Sequence, residues 1–406
     1  MDGLTTITVG AGVIGLSVAR ELALSAANDS NTKHTVIVID IRDKPCTLAS
    51  EACSGILAAR KAPRELQSLF ELASEGWLQI LNDRSSAINF KDGENVRLIS
   101  PGNGKSHQQS PSWFPSQRED TFSTADDTMG RIATTDFASY LFAECKRLGV
   151  TFILDSAVIA VWQANETSMA KVINLLDKSV QHLPFSNLVL AAGPWTTAIF
   201  KTLYPQNSIH LENHVRCIPW YRIIPPSPIN SGDDIAFTHT SLAAESHELE
   251  PEITFTAHES SRTVSIAAIP QRIEVKDVHP NDAIDPVADL MTQHAILALK
   301  KAAGKRVPGG AQKLETSKFG YSYVSTATEG GLPVIDRVPV EKVGTTMTGT
   351  DDRAGQEQNG VWLCYGFGMF GTALAPGVGK VVTRKMRGVE VGVEEWVVGL
   401  KEASGW

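Results

Sequence analysis

Residues 6–20, TITVGAGVIGLSVAR, decide the fold. Thr6 to Val9 is a short β-branched, apolar run, and Gly10-Ala-Gly12-Val13-Ile14-Gly15 follows it at once. From Val13 to Ala27 the residues Ile14, Val18 and Leu22, with the small Ala11, Gly15 and Ala19, recur at three- and four-residue spacing, which predicts a helix with one face for packing on a sheet. After the polar turn Asn28 to His34, Thr35 to Asp40 predicts a second strand. A G-x-G-x-x-G run that leaves a strand and opens a helix is the context in which the motif carries weight. The first glycine permits the tight turn, the second lets a pyrophosphate approach the backbone, and the third lets helix and strand pack closely. The free amides at Val13 and Ile14 and the positive helix end favour an anion there. Asp40, with Ile41 beside it, ends the next strand slightly beyond the usual interval of about 20 residues, where a carboxylate accepts ribose hydroxyls. Arg42 keeps a phosphorylated ribose open, its plain alternative being a solvated loop residue. This unit alone leaves FAD and NAD open, because both lay a pyrophosphate on the same helix end.

With 406 residues the chain exceeds one typical core, so two or more domains sharing a cleft are expected. The net charge of -8 and the absence of a Lys/Arg block that could track phosphates argue against nucleic acid as a partner. Cys46, Cys53, Cys145, Cys217 and Cys364 are scattered without C-x-x-C spacing, which points to a reducing compartment and no zinc site. Met1 to Thr6 has no basic leader character, and no run of about 18 apolar residues occurs, so neither a signal peptide nor a membrane span is expected. The end Ala403 to Trp406 is not a peroxisomal tripeptide, and the cytoplasm is the default location.

Further along, Leu66 to Leu81, Phe137 to Leu148 and Trp195 to Leu203 predict helices, and Val150 to Leu154, Ala157 to Trp162 and Leu188 to Ala192 predict strands. Pro101 to Gly130 is rich in Ser, Gln, Pro and Asp and predicts a long surface loop. Between Arg216 and Val275 the apolar residues alternate, as in Ile253-Thr254-Phe255-Thr256, which predicts a mixed or antiparallel sheet. Asp282 to Ala303 returns to helix, Val361 to Tyr365 to strand, and Thr372 to Met386 to a terminal helix. The fold class expected is α/β, a Rossmann-like domain joined to a smaller α+β domain built on that second sheet.

Four more segments resemble, in the same order, those of the FAD-dependent D-amino-acid oxidase, glycine oxidase and sarcosine oxidase superfamily. Ala49-Ser50 through Ser54-Gly55-Ile56-Leu57 is similar to the loop that wraps the pyrophosphate and passes the flavin; the resemblance implies phosphate contact at Ser50 and backbone contact with the ring at Ser54 to Leu57. Arg131 to Val161 is similar to the helix and strand pair in which a residue like Val158 meets adenine. Leu188 through Ala192-Gly193-Pro-Trp195 resembles the turn that closes the FAD domain. Val361 through Gly366-Phe-Gly368-Met369-Phe370-Gly371-Thr372 resembles the C-terminal glycine loop whose helix points at the flavin pyrimidine. A helix start there would stabilise the anionic reduced flavin. The last segment also matches G-x-G-x-x-G, but no acidic strand end follows it, so an NADPH site is not expected. The resemblance implies residues 1–85, 131–211 and 326–406 as a discontinuous FAD domain, with 86–130 and 212–325 as the substrate domain.

Residues 320–325, GYSYVS, lack the cysteine that attaches FAD covalently in some relatives, so noncovalent FAD is expected. Gly331-Leu332-Pro333 matches the family's turn, yet Ser325-Thr326 stands where an Arg-Pro pair clamps the substrate carboxylate. That departure favours an amine, imine, cyclic or esterified substrate, unless Arg216, Arg222 or Arg262 substitutes from another strand. Tyr323, as a hydrogen-bond donor, and Phe370 are the candidate pocket residues; two core aromatics are the alternative. The implied reaction is oxidation of a C–N bond in a small amine or amino-acid-like molecule, with hydride passing to flavin N5 and O2 as acceptor. A FAD-binding protein without turnover and an NAD(P)-dependent dehydrogenase are the competing readings, and oligomeric state is not legible.

Overall fold

A computed structural model describes residues 4–28, 33–58, 62–85, 87–92, 96–101, 113–114, 120–124, 128–165, 167–225, 229, 236–239, 252–258, 262–269, 290–307, 318–328, 331–339, 343 and 359–391. In chain order the first elements are β1 (Leu4–Val9), α1 (Val13–Ala27), β2 (His34–Ile39), α2 (Ala49–Ala52), β3 (Ile56–Ala58) and α3 (Gln67–Arg84). Next come β4 (Lys91–Asp92), β5 (Val96–Pro101), β6 (Asp120–Thr124), β7 (Thr128–Arg131), α4 (Thr134–Arg147), β8 (Thr151–Ile153) and β9 (Ser156–Ala164). They are followed by β10 (Thr167–Asn174), β11 (Val180–Phe185), β12 (Asn187–Leu190), α5 (Thr196–Leu203), β13 (His214–Ile223), β14 (Ala236–His239), β15 (Glu252–His258) and β16 (Thr263–Ile269). The last are α6 (Leu290–Arg306), β17 (Lys318–Thr326), β18 (Val334–Arg337), β19 (Gly360–Tyr365) and α7 (Gly371–Met386).

One sheet has the order β18-β19-β12-β1-β2-β8, parallel except for β18 at its edge. Its central strands are buried on both faces, which is why they are near-continuous apolar runs such as Leu188-Val189-Leu190. One face packs on α1, α3, α4 and α7 through Leu16, Trp77, Phe137 and Leu374; the other packs on α5 and the β9–β11 sheet through Phe200, Val172 and Leu203. Trp77 is 2% exposed and donates its indole N–H to the Ala373 carbonyl at 2.8 Å, fixing α3 against α7. A Cβ on Gly379 would stand 2.6 Å from the Ser17 carbonyl oxygen, so α7 crosses α1 at backbone contact.

A second sheet, β17-β13-β16-β15-β14-β5-β6, is antiparallel apart from the β14–β5 pair. Tyr221, Ile223, Phe255, Val264 and Ile266 pack one of its faces against Leu299 and Ala303 of α6. The alternating pattern predicted this sheet.

The predicted surface loop over Pro101 to Gly130 needs correction. Trp113 and Phe114 are fully buried against Phe255, and Asp120–Thr124 and Thr128–Arg131 are strands. Polar composition concealed them because each is held by backbone pairing, β6 with β5 at the start of the stretch and β7 with β3 much earlier in the chain. Residues 102–112, 115–119 and 125–127, like residues 282–289 of the predicted helix, lie outside the described residues. The helix start predicted near Phe137 begins at Thr134, and Ala133 precedes it without a side-chain cap.

Candidate active site

The site is assembled at the carboxyl ends of β1, β2, β12 and β19, where ligands of open α/β sheets bind. Helix α1 starts at Val13, and Gly12 before it is extended (φ -74, ψ 175) with no side-chain cap. Gly10 has φ +107, and a Cβ there would lie 2.5 Å from the Ala191 carbonyl oxygen. A Cβ on Gly15 would run into the Gly10 carbonyl. The fold itself therefore excludes side chains at both positions. Gly12 differs, since a Cβ there would meet only Ser50 Oγ, at an ordinary 3.5 Å. Its bareness leaves the backbone open to a group outside the chain, and Ser50 Oγ accepts the Val13 N–H at 3.2 Å, at the anion-favouring start of α1. Ile14 follows on the first turn, half-buried.

Asp40 stands beside this turn, one carboxylate oxygen accepting the Ala11 N–H at 2.6 Å and the other the Arg42 N–H at 2.8 Å. Burial raises its pKa, partly offset by those two amides and the Arg42 charge. Each oxygen retains a lone pair for a ribose hydroxyl. Ile41 is 49% exposed and Arg42 also faces solvent. Ser156 N–H donates to the Asp40 carbonyl at 2.9 Å, which brings β9 alongside, and Val158, two residues on, is buried in the core on that side of the sheet. Cys46 lies beneath the glycine turn, its thiol donating to the Ala11 carbonyl at 3.4 Å; burial pushes its pKa up to about 12, so it is a packing group rather than a nucleophile.

The segment from Ala49 to Leu57 ties this end to a second helix start. Thr134 Oγ1 donates to the Cys53 carbonyl at 3.4 Å, Ile132 N–H donates to the Gly55 carbonyl at 3.0 Å, and Ile56 and Leu57 pair with Arg131 and Gly130. Thr372 Oγ1, in the first turn of α7, meets Cys53 Sγ at 3.3 Å. Helix α7 opens at Gly371 after the 3-10 turn Gly368–Phe370, again without a side-chain cap. Met369 is 44% exposed, and Phe370 packs edge-on against Phe70 with centroids 5.7 Å apart. On the third side, Ala192 leads into the 3-10 turn Gly193–Trp195, and Trp195 meets Tyr323 edge-on at 6.2 Å. Ser54 completes the loop between Cys53 and Gly55, half-buried.

Strands β13 and β17 lie over this arrangement. Side chains alternate along a strand, so Lys318, Gly320, Ser322, Val324 and Thr326 share one face of β17. That face touches Gly368 at one end, where a Cβ would be 3.1 Å from Thr326 Cγ2, and Glu51 at the other, where Lys318 Nζ is 3.0 Å from Oε1. Tyr323 is on the opposite face, turned to Trp195. Paired across from Gly320 and Lys318 are Trp220 and Arg222. Of the three arginines named as clamp substitutes, Arg222 reaches the FAD-domain loop, 3.5 Å from Glu51 Oε1; Arg262 is an exposed turn residue. Sequence reasoning missed Trp220, Lys318 and Glu51, and also Arg131, which is 2% exposed and donates from β7 to the Ala257 carbonyl of β15 at 2.8 Å. Burial lowers the Arg131 pKa to about 9. Strand register sets Trp220 opposite Gly320 and Arg222 opposite Lys318, and Glu51 reaches both cations from α2.

A family model described as FAD dependent oxidoreductase matches residues 6–385. The chain belongs to that family. Among solved structures it is similar to glycine oxidase from Geobacillus kaustophilus, at 15% identity and TM-score 0.65, with 97% of each chain covered. L-proline dehydrogenase from P. horikoshii is similar at 15% identity and TM-score 0.66, with 100% of this chain and 99% of that one covered. L-amino acid deaminase from Proteus myxofaciens, in complex with anthranilate, is similar at 11% identity and TM-score 0.61, covering 98% of this chain and 92% of that one. At these identities the structures establish a shared fold. No curated protein matches. The enzyme is thus an FAD-dependent oxidoreductase, and the bare Gly12, the carboxylate at Asp40 and the two uncapped helix starts fit that cofactor. Among the described residues no cluster of His, Cys, Asp or Glu could hold a metal, and no helix is long and apolar enough to cross a membrane.

Proposed function

We propose that this oxidoreductase oxidises the C–N bond of a small amine or amino-acid-like molecule, with O2 as the final acceptor. One observation carries the reading: a single segment, Ala49 to Leu57, is bonded to both helix starts, through Ser50 to the first amide of α1 and through Cys53 to Thr372 of α7. That is the arrangement required to hold the two ends of one extended dinucleotide. When bound, FAD supplies the hydride acceptor, at flavin N5.

The chain's own groups do the rest. Gly10 to Gly15 and Ser50 hold the pyrophosphate, Asp40 the ribose, and Val158 flanks the adenine. Ser54 to Leu57, Ala192 to Trp195 and Gly368 to Thr372 border the flavin. The uncapped start of α7 at Gly371 and Thr372 would offer a positive helix end to negative charge on the bound cofactor. Trp220 and Gly320 roof the cleft and exclude water, so that a neutral amine holds its reacting carbon against one ring face. No side chain must take a proton if the amine arrives unprotonated. Tyr323 supports Trp195 from the far face of β17. We assign residues 1–85, 131–211 and 326–406 to the FAD domain and 86–130 and 212–325 to the substrate domain. FAD is held noncovalently, since β17 carries no cysteine and Cys364 is a fully buried thiol whose pKa burial raises.

The test is to purify the protein, denature it and identify the released yellow chromophore. The intact protein is then mixed anaerobically with amines, N-methyl amino acids, cyclic imino acids and D-amino acids. Released FAD and substrate-driven bleaching of the flavin colour, with peroxide formed on admitting air, are the expected results. A colourless protein that takes up no FAD, or a yellow one that no amine bleaches, overturns the reading.

A further inference from the structure

The parallel sheet has a second polar end. At the amino ends of β1, β2, β12 and β19, on the edge opposite the glycine turn, lies a cavity of about 20 Å³. Leu4, Leu22 and Met386 form its apolar walls, and His34, Asn187, Asn359 and Arg387 its polar ones. None of these residues belongs to the cofactor cradle or to the roof over it. One water-sized sphere needs about 10–15 Å³ of such space, so the cavity admits a single water- or chloride-sized body and no phosphate or carboxylate.

The polar walls offer donors. Asn187 is 3% exposed, and its Oδ1 already accepts the Gly360 N–H at 3.0 Å and the Trp362 indole N–H at 3.2 Å, which fixes the amide and leaves its NH2 group for the cavity. His34 Nε2 stands 2.8 Å from Oγ1 of the fully buried Thr6, which leaves Nδ1. Arg387 brings a guanidinium, a group with no acceptor atom. Bare carbonyls at the end of α7 would repel an anion, but the Arg387, Gly388 and Val389 amides donate to the Thr383, Arg384 and Lys385 carbonyls at 2.9–3.2 Å, with Gly388 at φ +64.

The charges point the same way. Burial lowers the His34 pKa below 6.5, and the Arg387 charge lowers it further. Arg387 is the one charged group among the described residues that acts on His34. The neighbours from β1, α1, β12 and the start of β19 are Leu4, Thr6, Leu22, Asn187 and Asn359, all uncharged. A small anion between the two basic groups relieves their repulsion and accepts from the Asn187 amide.

We propose that this cavity binds one chloride-sized monovalent anion, held by Arg387, the Asn187 amide and protonated His34, and that the anion pins the far end of α7 to the amino ends of β1, β2 and β12. Binding takes up a proton on the His34 ring, so affinity rises as the pH falls. Without the anion, the lowered His34 pKa means that the unfolded chain binds more protons below about pH 6.5, and the fold loses stability there. The anion offsets that loss.

The test uses the FAD-loaded protein with bromide as the probe and gluconate, too large for the cavity, as the control at equal ionic strength. Crystals grown in sodium bromide are expected to show a bromine anomalous peak in the cavity. In solution, bromide at about ten times its dissociation constant should raise the melting temperature by about 2 °C over gluconate. Its affinity should rise up to about tenfold per pH unit below the His34 pKa. H34Q, which keeps a polar group but takes no proton, should abolish that pH dependence, and R387Q should weaken bromide about tenfold or more. FAD content verifies that each variant is folded; if either fails to load, the bromine peak and the pH series of wild type decide. A cavity that holds only water in bromide crystals, or bromide stabilisation that equals that of gluconate or persists unchanged in both loaded variants, overturns the site. Neither result depends on which substrate reduces the flavin.

Discussion

The parallel sheet and the antiparallel roof handle their ligands by different means. At the ends of β1, β2 and β12 the contacts offered are backbone amides, turn geometry and the space left by missing side chains, with Asp40 and Ser50 as the few exceptions. On β13 and β17 the face turned toward Glu51 carries side chains, Trp220, Arg222 and Lys318, brought together by strand pairing. A cofactor common to many enzymes can be gripped through the main chain, whereas a particular substrate needs chosen functional groups. The first region tolerates little change, since a Cβ at Gly10 or Gly15 would collide with backbone.

The largest break in that contrast is expected at Gly15. G15A places a methyl group into the Gly10 carbonyl, and it should destabilise the fold by about 3 kcal/mol or more, visible in denaturant unfolding of the cofactor-free protein. Normal stability there would mean that the turn is not what holds α1 to β1. G12A sharpens the distinction, because its methyl meets only Ser50 Oγ. It should leave unfolding within about 1 kcal/mol of wild type yet weaken FAD roughly ten- to hundredfold, the scale of a lost charge-assisted phosphate bond, as read by flavin fluorescence titration.

Asp40 gives a smaller, pH-dependent effect. Its pKa is raised above 3.8 in the folded protein by burial, so the folded state binds more protons than the unfolded chain just above that pH. Its contribution to stability is then fully present below the unfolded pKa and is lost as pH rises through the folded value. The stability of cofactor-free wild type relative to D40N should therefore shrink as pH rises through that window, measured by urea unfolding at several pH values. A difference that is flat, or that grows, contradicts the assigned burial. The smallest change is expected from Y323F, which keeps the ring against Trp195 and removes a hydroxyl on the far face of β17. The rate of flavin reduction should change less than about fivefold, equivalent to about 1 kcal/mol. A loss of a hundredfold would return Tyr323 to the reacting centre.

The legibility of the chain follows the same division. The helix Val13–Ala27 matches its periodicity residue for residue, and Gly360–Tyr365 and Gly371–Met386 lie within one residue of expectation, because local spacing suffices for a strand–turn–helix. Strands β6 and β7 were hidden in a polar stretch, since β6 is fixed by pairing with β5 across an intervening segment and β7 by pairing with β3 much earlier in the chain. The juxtaposition of Trp220 and Lys318 was invisible for a related reason. Nothing within residues 216–223 states that Gly320 lies opposite Trp220, and without that register neither the flat seat of the indole nor the pairing of the two cations exists.

The amino-acid sequence by itself determined the dinucleotide cradle, the position of its carboxylate and the presence of a second, alternating sheet, because glycine geometry and hydrophobic period act over a few neighbouring residues. Only the tertiary structure decided which face of β17 covers the cleft, that one segment clasps two helix starts, and that Arg222 and Lys318 share a single carboxylate. Those relations join residues far apart in the chain, and they follow from strand register and packing rather than from any local preference.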